Sequence, residues 1–197
     1  MEQIQTGVHD SPDVLASAGE EELVDAARSL REDAWAEIYR RHAEQVYSYI
    51  FFRLGDQHAA EDLSADVFVK AISGIKGYTY RGTPLLAWLY RIAHNVTADY
   101  RKSATRRMQH HSADLAENIE EREDAISLLH ERSDMLSAIR GLTEDQQQVI
   151  ILRFYQGMSN ADVGRVMARP EGAVKALQSR ALRSLRRILD EDARHTA

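Results

Sequence analysis

Apolar positions recur three and four residues apart through most of this chain, which is the signature of helices with one buried face. From about Asp33 to Leu54, Trp35, Ile38, His42, Val46, Tyr49 and Ile50 keep that spacing, and Gly55-Asp56 breaks it. Leu63, Val67, Ala71 and Ile75 mark a second helix that ends at Lys76-Gly77. After a loop from Tyr78 to Gly82, Thr83 is placed to cap and Pro84 to open a third, long helix, with Leu85, Leu89, Ile92, Val96 and Tyr100 on one face. Further on, Thr143 and Gln146 form a capping box for a helix through Val149, Leu152, Phe154 and Tyr155. The pattern predicts an all-α protein.

The last two predicted helices are the most specific. Gly157 stops the preceding helix, and Ser159 caps the next with Asp162 three residues on. Val163, Val166 and Met167 give that short helix its apolar side. Arg169-Pro170 ends it, because the residue before proline avoids helical angles, and Pro170 opens the following helix. There Val174, Leu177, Ala181, Leu185 and Ile188 form one stripe, while Lys175, Ser179, Arg183 and Arg186 fall on the other side. This is the layout of a helix-turn-helix, in which the first helix braces and the second enters the DNA major groove.

Charge sharpens that reading. The chain of 197 residues has 25 Lys and Arg against 31 Asp and Glu, a net charge of −6. Yet Arg169 to Arg187 holds six bases (Arg169, Lys175, Arg180, Arg183, Arg186, Arg187) and the single acid Glu171. Basic charge is therefore concentrated here rather than spread over the chain, as suits phosphate contact.

Domain limits follow from composition. Residues 1–25, with seven acids and no Lys or Arg, are expected to form an acidic flexible arm. A helical domain spans 26–107, an acidic linker 108–129, and a second helical domain 130–192. The absence of cysteine excludes disulfides and thiolate metal sites. There is no signal peptide and no apolar run of membrane-spanning length, so a cytoplasmic protein is expected.

The third helix carries the run Trp88-Leu89-Tyr90-Arg91-Ile92-Ala93-His94-Asn95, and from Arg91 to Arg107 it holds five Lys and Arg against one acid, Asp99. Aromatic rings beside cations suit single-stranded DNA, since rings stack on bases and cations follow the backbone. Core packing accounts for Trp88 at least.

With these pieces in order, the chain from about residue 30 to 190 resembles the group 4, extracytoplasmic-function (ECF) sigma factors of bacterial RNA polymerase, as an actinobacterial subgroup. The resemblance rests on Ala60 to Ala71, similar to the polymerase-binding helix, on Trp88 to Asn95, similar to the −10 element helix, and on Gln146 to Phe154, Gly157-Met158-Ser159 and Glu171 to Lys175. Where many members have Thr-Val-Lys-Ser-Arg, this chain has Ala173-Val174-Lys175-Ala176-Leu177.

The resemblance implies a sigma-2-like bundle and a sigma-4-like helix-turn-helix. Glu61, Asp62, Leu63, Asp66, Val67 and Phe68 would dock on core RNA polymerase. Tyr78, Tyr80 and Arg81 of the loop would hold a flipped −10 base, with Trp88, Arg91, Asn95, Asp99, Arg101 and Lys102 along the helix beside it. Glu171, Lys175, Ala176, Ser179, Arg180, Arg183 and Arg186 would approach the −35 duplex, Lys175 at base edges and Arg183 and Arg186 at phosphates. An anti-sigma factor is implied as a further partner, and neither a cofactor nor a small-molecule substrate.

Two other classes compete. An enzyme lacks support: no phosphate loop or nucleophile elbow is present, no histidine forms a metal pair at helical spacing, and Asp62 and Asp66 read better as solvated or interface carboxylates. A stand-alone helix-turn-helix regulator would not need a basic, aromatic helix alongside an acidic docking helix.

Overall fold

A computed structural model describes residues 13–80, 82–110 and 135–195, and every regular element among them is helical. The helices are α1 (Asp13–Ala16), α2 (Glu20–Arg28), α3 (Glu32–Leu54), α4 (Gln57–Gly74, continued by a 3-10 turn Ile75–Gly77) and α5 (Leu85–His110). After them come α6 (135–140), α7 (Glu144–Ile150, continued as a π turn Ile151–Tyr155), α8 (Asn160–Met167) and α9 (Glu171–His195). The all-α class is borne out.

The punctuation predicted from sequence sets most of these limits. Gly55 takes the left-handed conformation at φ 72° and donates to the Phe51 carbonyl at 2.7 Å, ending α3. Asp56 caps α4 by accepting from the Ala59 N–H at 2.9 Å. Buried Ile38, Val46, Tyr49, Ile50, Leu63, Val67, Ala71, Leu85, Leu89 and Val96 then join α3, α4 and α5 into one bundle.

Two limits differ from the sequence reading. The acidic arm was expected to be loose through residue 25, but α1 and α2 lie on the bundle, with Leu15, Ala18, Leu23, Val24 and Ala27 buried. Their spacing is helical, and the acids around them occupy the outer face. Arg41 fixes this segment. Its Nη2 donates to the carbonyls of Leu15 (2.8 Å) and Ala16 (3.0 Å), and its Nη1 to that of Ala18 (3.2 Å). Glu37 holds Arg41 and Arg40 at 2.5 and 2.7 Å, and these two guanidinium bonds pull its carboxyl down to about 2. The second difference is at α5, which begins at Leu85 rather than Pro84. Glu20 of α2 accepts from the Leu85 N–H at 3.3 Å, so a side chain from another helix caps this end. At its other end α5 continues to His110, into the expected linker. The rest of that linker, and residues 1–12 of the arm, lie outside the described residues.

In the C-terminal unit, α7 and α8 pack on α9. Thr143 N–H donates to Gln146 Oε1 at 3.3 Å, completing the capping box. Ser159 Oγ accepts from the Asp162 N–H at 3.1 Å. Left-handed Ala168 turns the chain, and the Arg169 N–H donates to the Gly164 carbonyl at 2.9 Å. A Cβ at Gly164 would lie 2.6 Å from the Arg169 carbonyl oxygen, so only glycine permits this closeness of α8 to the turn.

The two units meet along a seam. Phe52 packs on Tyr155 with ring centroids 4.0 Å apart, and Gln156 Nε2 donates to Ser48 Oγ at 3.1 Å. Arg101 of α5 donates to Gln147 Oε1 at 3.1 Å and stands 3.8 Å from the Glu144 carboxylate.

Candidate DNA and polymerase interfaces

Helix α9 buries Val174, Leu177, Ala181 and Leu185 and leaves Glu171, Lys175, Ala176, Ser179, Arg180, Arg183 and Arg186 exposed. All seven residues expected at the −35 duplex therefore share the outward side. Lys175 pairs with Glu171 at 2.8 Å, one turn back, and Arg186 stands 3.8 Å from Asp190. Arg180 and Arg183 are exposed between these two pairs.

On α4 the expected docking set divides. Leu63, Val67 and Phe68 face inward, and Phe68 packs against Tyr39 with centroids 4.9 Å apart. Glu61, Asp62 and Asp66 face outward, joined by Val69 and Ile72, which are 62% and 42% exposed. Val69 and Ile72 were legible in principle: both are apolar yet fall off the Leu63–Val67–Ala71 stripe.

The −10 set divides too. Tyr78 is buried, stacks on half-buried Trp88 at 4.7 Å and donates through its hydroxyl to the Thr83 carbonyl at 3.2 Å. These two rings make the wall behind the loop rather than its open surface. Tyr80 is half-buried, and Arg81 lies outside the described residues. Arg91, Asn95, Asp99 and Lys102 project outward from α5. Arg91, His94 and Asn95 border a groove whose opposite wall is Asp145, Met167 and Arg169 of the C-terminal unit. Arg169 and Asp145 are themselves paired at 2.5 Å.

Behind this groove is a cluster that sequence reasoning missed. Arg53, at the end of α3, is fully buried. Its Nη1 contacts Tyr49 Oη at 2.8 Å and His94 Nδ1 at 2.7 Å, and its carbonyl accepts a bond from Arg101. Burial, then the Arg53 charge, hold His94 below its ordinary pKa, so its Nδ1 serves as acceptor. Arg101 is likewise lowered, by burial first and by Arg53 next. One signal was available in the sequence: Arg53 continues the apolar series Val46, Tyr49, Ile50, a position where a cation has no reason to be unless it has a partner.

Residues 38–107 match the family model for Sigma-70 region 2, and residues 138–187 that for Sigma-70 region 4. The ECF RNA polymerase sigma factor BldN of Streptomyces coelicolor is 40% identical over 176 residues, covering 88% of this chain and 67% of that protein. The chain belongs to the ECF RNA polymerase sigma factors. As a member it is an alternative sigma factor that directs transcription initiation by RNA polymerase. The ECF sigma factor SigX of Bacillus subtilis is 27% identical over 166 residues, covering 81% of this chain and 85% of that one. Among solved structures, CnrH in complex with the cytosolic domain of CnrY shares the fold at a TM-score of 0.67 and 23% identity, over 88% of this chain and 98% of that chain. RpoE of Bartonella quintana, in complex with the anti-sigma factor NepR, does so at 0.65 and 23%, over 79% and 96%. In these terms the N-terminal bundle carries region 2, and α7 to α9 lie in region 4.

Proposed function

We propose that region 2 docks on core polymerase through the outer side of α4, reads the −10 strand along α5, and that region 4 reads the −35 duplex with α9. The observation that carries this is the separation of faces. Each of the three helices buries an apolar stripe and turns outward a surface suited to one partner: carboxylates around apolar Val69 and Ile72 on α4, mixed cations and amides on α5, and cations on α9. Charged flanks around an apolar centre fit a protein interface, whereas amides and arginines in a row fit nucleic acid. The solved relatives CnrH and RpoE are each held by a second protein, in RpoE an anti-sigma factor. A partner of that kind on the α4 side would silence this chain by covering its docking face.

Purified chain added to core polymerase should start transcripts from genomic fragments that core alone leaves silent, and the shared upstream sequence would define the promoter. Duplex binding by the chain alone, with no association with core and no initiation, would favour a stand-alone regulator and overturn this assignment of faces.

A further inference from the structure

Arg53 is buried in a way that its own surroundings do not repay. A guanidinium offers five N–H donors in a planar fork. Here Nη1 is used, but Nε and Nη2 are buried with no acceptor. Among the described residues no carboxylate pairs with it, and its contacts include a second cation, Arg101, and the His94 ring, which is held toward its neutral form. The Tyr49 ring, 5.6 Å from the Arg53 carbon Cζ, gives only partial compensation. A buried cation without an anion is strongly unfavourable, and such a group persists where another state of the molecule supplies the anion.

The position of Arg53 indicates which anion. Its neighbours His94 and Arg101 are seven residues apart on α5, two turns, and Arg91 lies one turn before His94 on the same side. Arg53 thus extends sideways a row of cationic and imidazole groups on the helix assigned to the −10 strand. What covers the row is region 4: Gln147 accepts from Arg101, and Gln148 is hydrogen-bonded to Tyr49. Both amides are buried, and Gln147 satisfies one donor of Arg101 without bringing a charge.

We propose that Arg53, with His94 and Arg101, forms a site for a backbone phosphate of promoter DNA, covered by region 4 in this arrangement and opened when the two units part. A phosphate presents two oxygens to the Arg53 fork, satisfying Nε and Nη2 together. Arg53 acts there as a positioning residue that fixes the register of α5 on the strand, since phosphate contacts orient without reading sequence. This rests on the assignment of α5 to the −10 strand.

The test uses holoenzyme assembled from core polymerase and the full chain. Single neutral methylphosphonates are scanned along the non-template strand of a promoter fragment, and binding is measured across salt concentrations. With wild type, one linkage near the −10 element should weaken binding several-fold when neutralised. Arg53→Met should bind the unmodified promoter with a salt slope lower by roughly one unit and lose nothing further at that linkage. Its melting temperature should be unchanged or higher, because the unpaired charge is gone. Should Arg53→Met melt early, Arg53→Lys should keep the sensitivity at that linkage with a smaller loss. Equal sensitivity at every linkage in wild type and variant, with an unchanged slope, would overturn the site. So would a loss confined to core binding, which would make Arg53 a polymerase contact. Failure of wild-type holoenzyme to initiate at all would instead overturn the α5 assignment itself.

Discussion

The two helices proposed to face DNA are displayed in opposite ways. On α9 the expected contact residues stand in solvent, and the two pairs Lys175–Glu171 and Arg186–Asp190 are exposed and easily exchanged for phosphate. On α5 the row Arg91, His94 and Arg101 runs against region 4, with Arg101 bonded to Gln147 and close to Glu144. The surface proposed to read the duplex is therefore open in this arrangement, while the one proposed to read the strand is partly occupied by the chain's own second unit. On the proposed assignment, −35 contact would need no rearrangement, and full −10 contact would require the seam to open. The difference arises from position: α9 lies on the far side of its unit, whereas α7 and α8 lie between it and α5.

The largest expected effect comes from breaking the turn on which both displays depend. Gly164→Ala places a Cβ 2.6 Å from the Arg169 carbonyl oxygen, which is backbone and cannot swing aside. Overpacking of this kind costs about 1–3 kcal/mol or somewhat more. Val166, Met167 and Arg169, which flank the groove over α5, would shift along with the start of α9. Thermal unfolding should show region 4 melting several degrees earlier, together with weakened −35 binding. A variant with wild-type melting and wild-type duplex affinity would show that the turn yields.

The contrast also marks what the sequence made legible. Helical periodicity, caps and the proline turn identified α3, α4, α5, α8 and α9, because each is specified locally. The outward side of α9 could be read directly, since its inner stripe is strictly apolar. Two features could not. The packing of α1 and α2 depends on Arg41, whose bonds cross 23 to 26 residues and have no local pattern. The seam depends on Gln147 and Gln156, polar groups that periodicity assigns to no face, and on the Phe52–Tyr155 contact, whose partner no local pattern names. Leu63, Val67 and Phe68 show the converse: an apolar stripe read as a contact surface is the core of the bundle, and the free apolar groups are Val69 and Ile72.

On the open face, the roles within α9 separate by salt and sequence dependence. Lys175→Ala removes a cation near the amino end of the helix, where recognition helices meet base edges. Discrimination should fall by about 1–3 kcal/mol at one or two base pairs of the −35 element. Arg183→Ala should weaken matched and scrambled duplexes alike and lower the salt slope by roughly one unit. Binding of both variants to both duplexes at several salt concentrations decides it. Equal, sequence-blind losses would make Lys175 a phosphate contact.

On the covered face, the smallest effect is a pH dependence of the seam, and its sign is fixed by His94. In the closed arrangement burial and Arg53 hold the ring below 6.5, and Arg101 adds in the same direction, while Glu144 and Asp145 of α7 oppose it. Once the units part, the ring loses the burial that region 4 adds and its pKa moves up toward the ordinary value of about 6.5, while Arg53 of the same bundle stays beside it. The closed form then binds fewer protons than the open one as pH falls through that value, so acidification favours opening, and above it the seam is insensitive to pH. Protonation also forces Nδ1 to carry a hydrogen toward Arg53 Nη1, now 2.7 Å away, replacing an attraction with a repulsion. Because the chain has no cysteine, labels can be attached at Lys70→Cys and Arg187→Cys, one on each unit. Energy transfer between them should fall as pH is lowered from 7.5 to 5.5. His94→Gln keeps an acceptor for Arg53 but cannot titrate, and should respond less. A wild-type signal flat over that range would mean that protonation of His94 does not open the seam, which the Phe52–Tyr155 and Arg101–Gln147 contacts then hold closed at every pH tested.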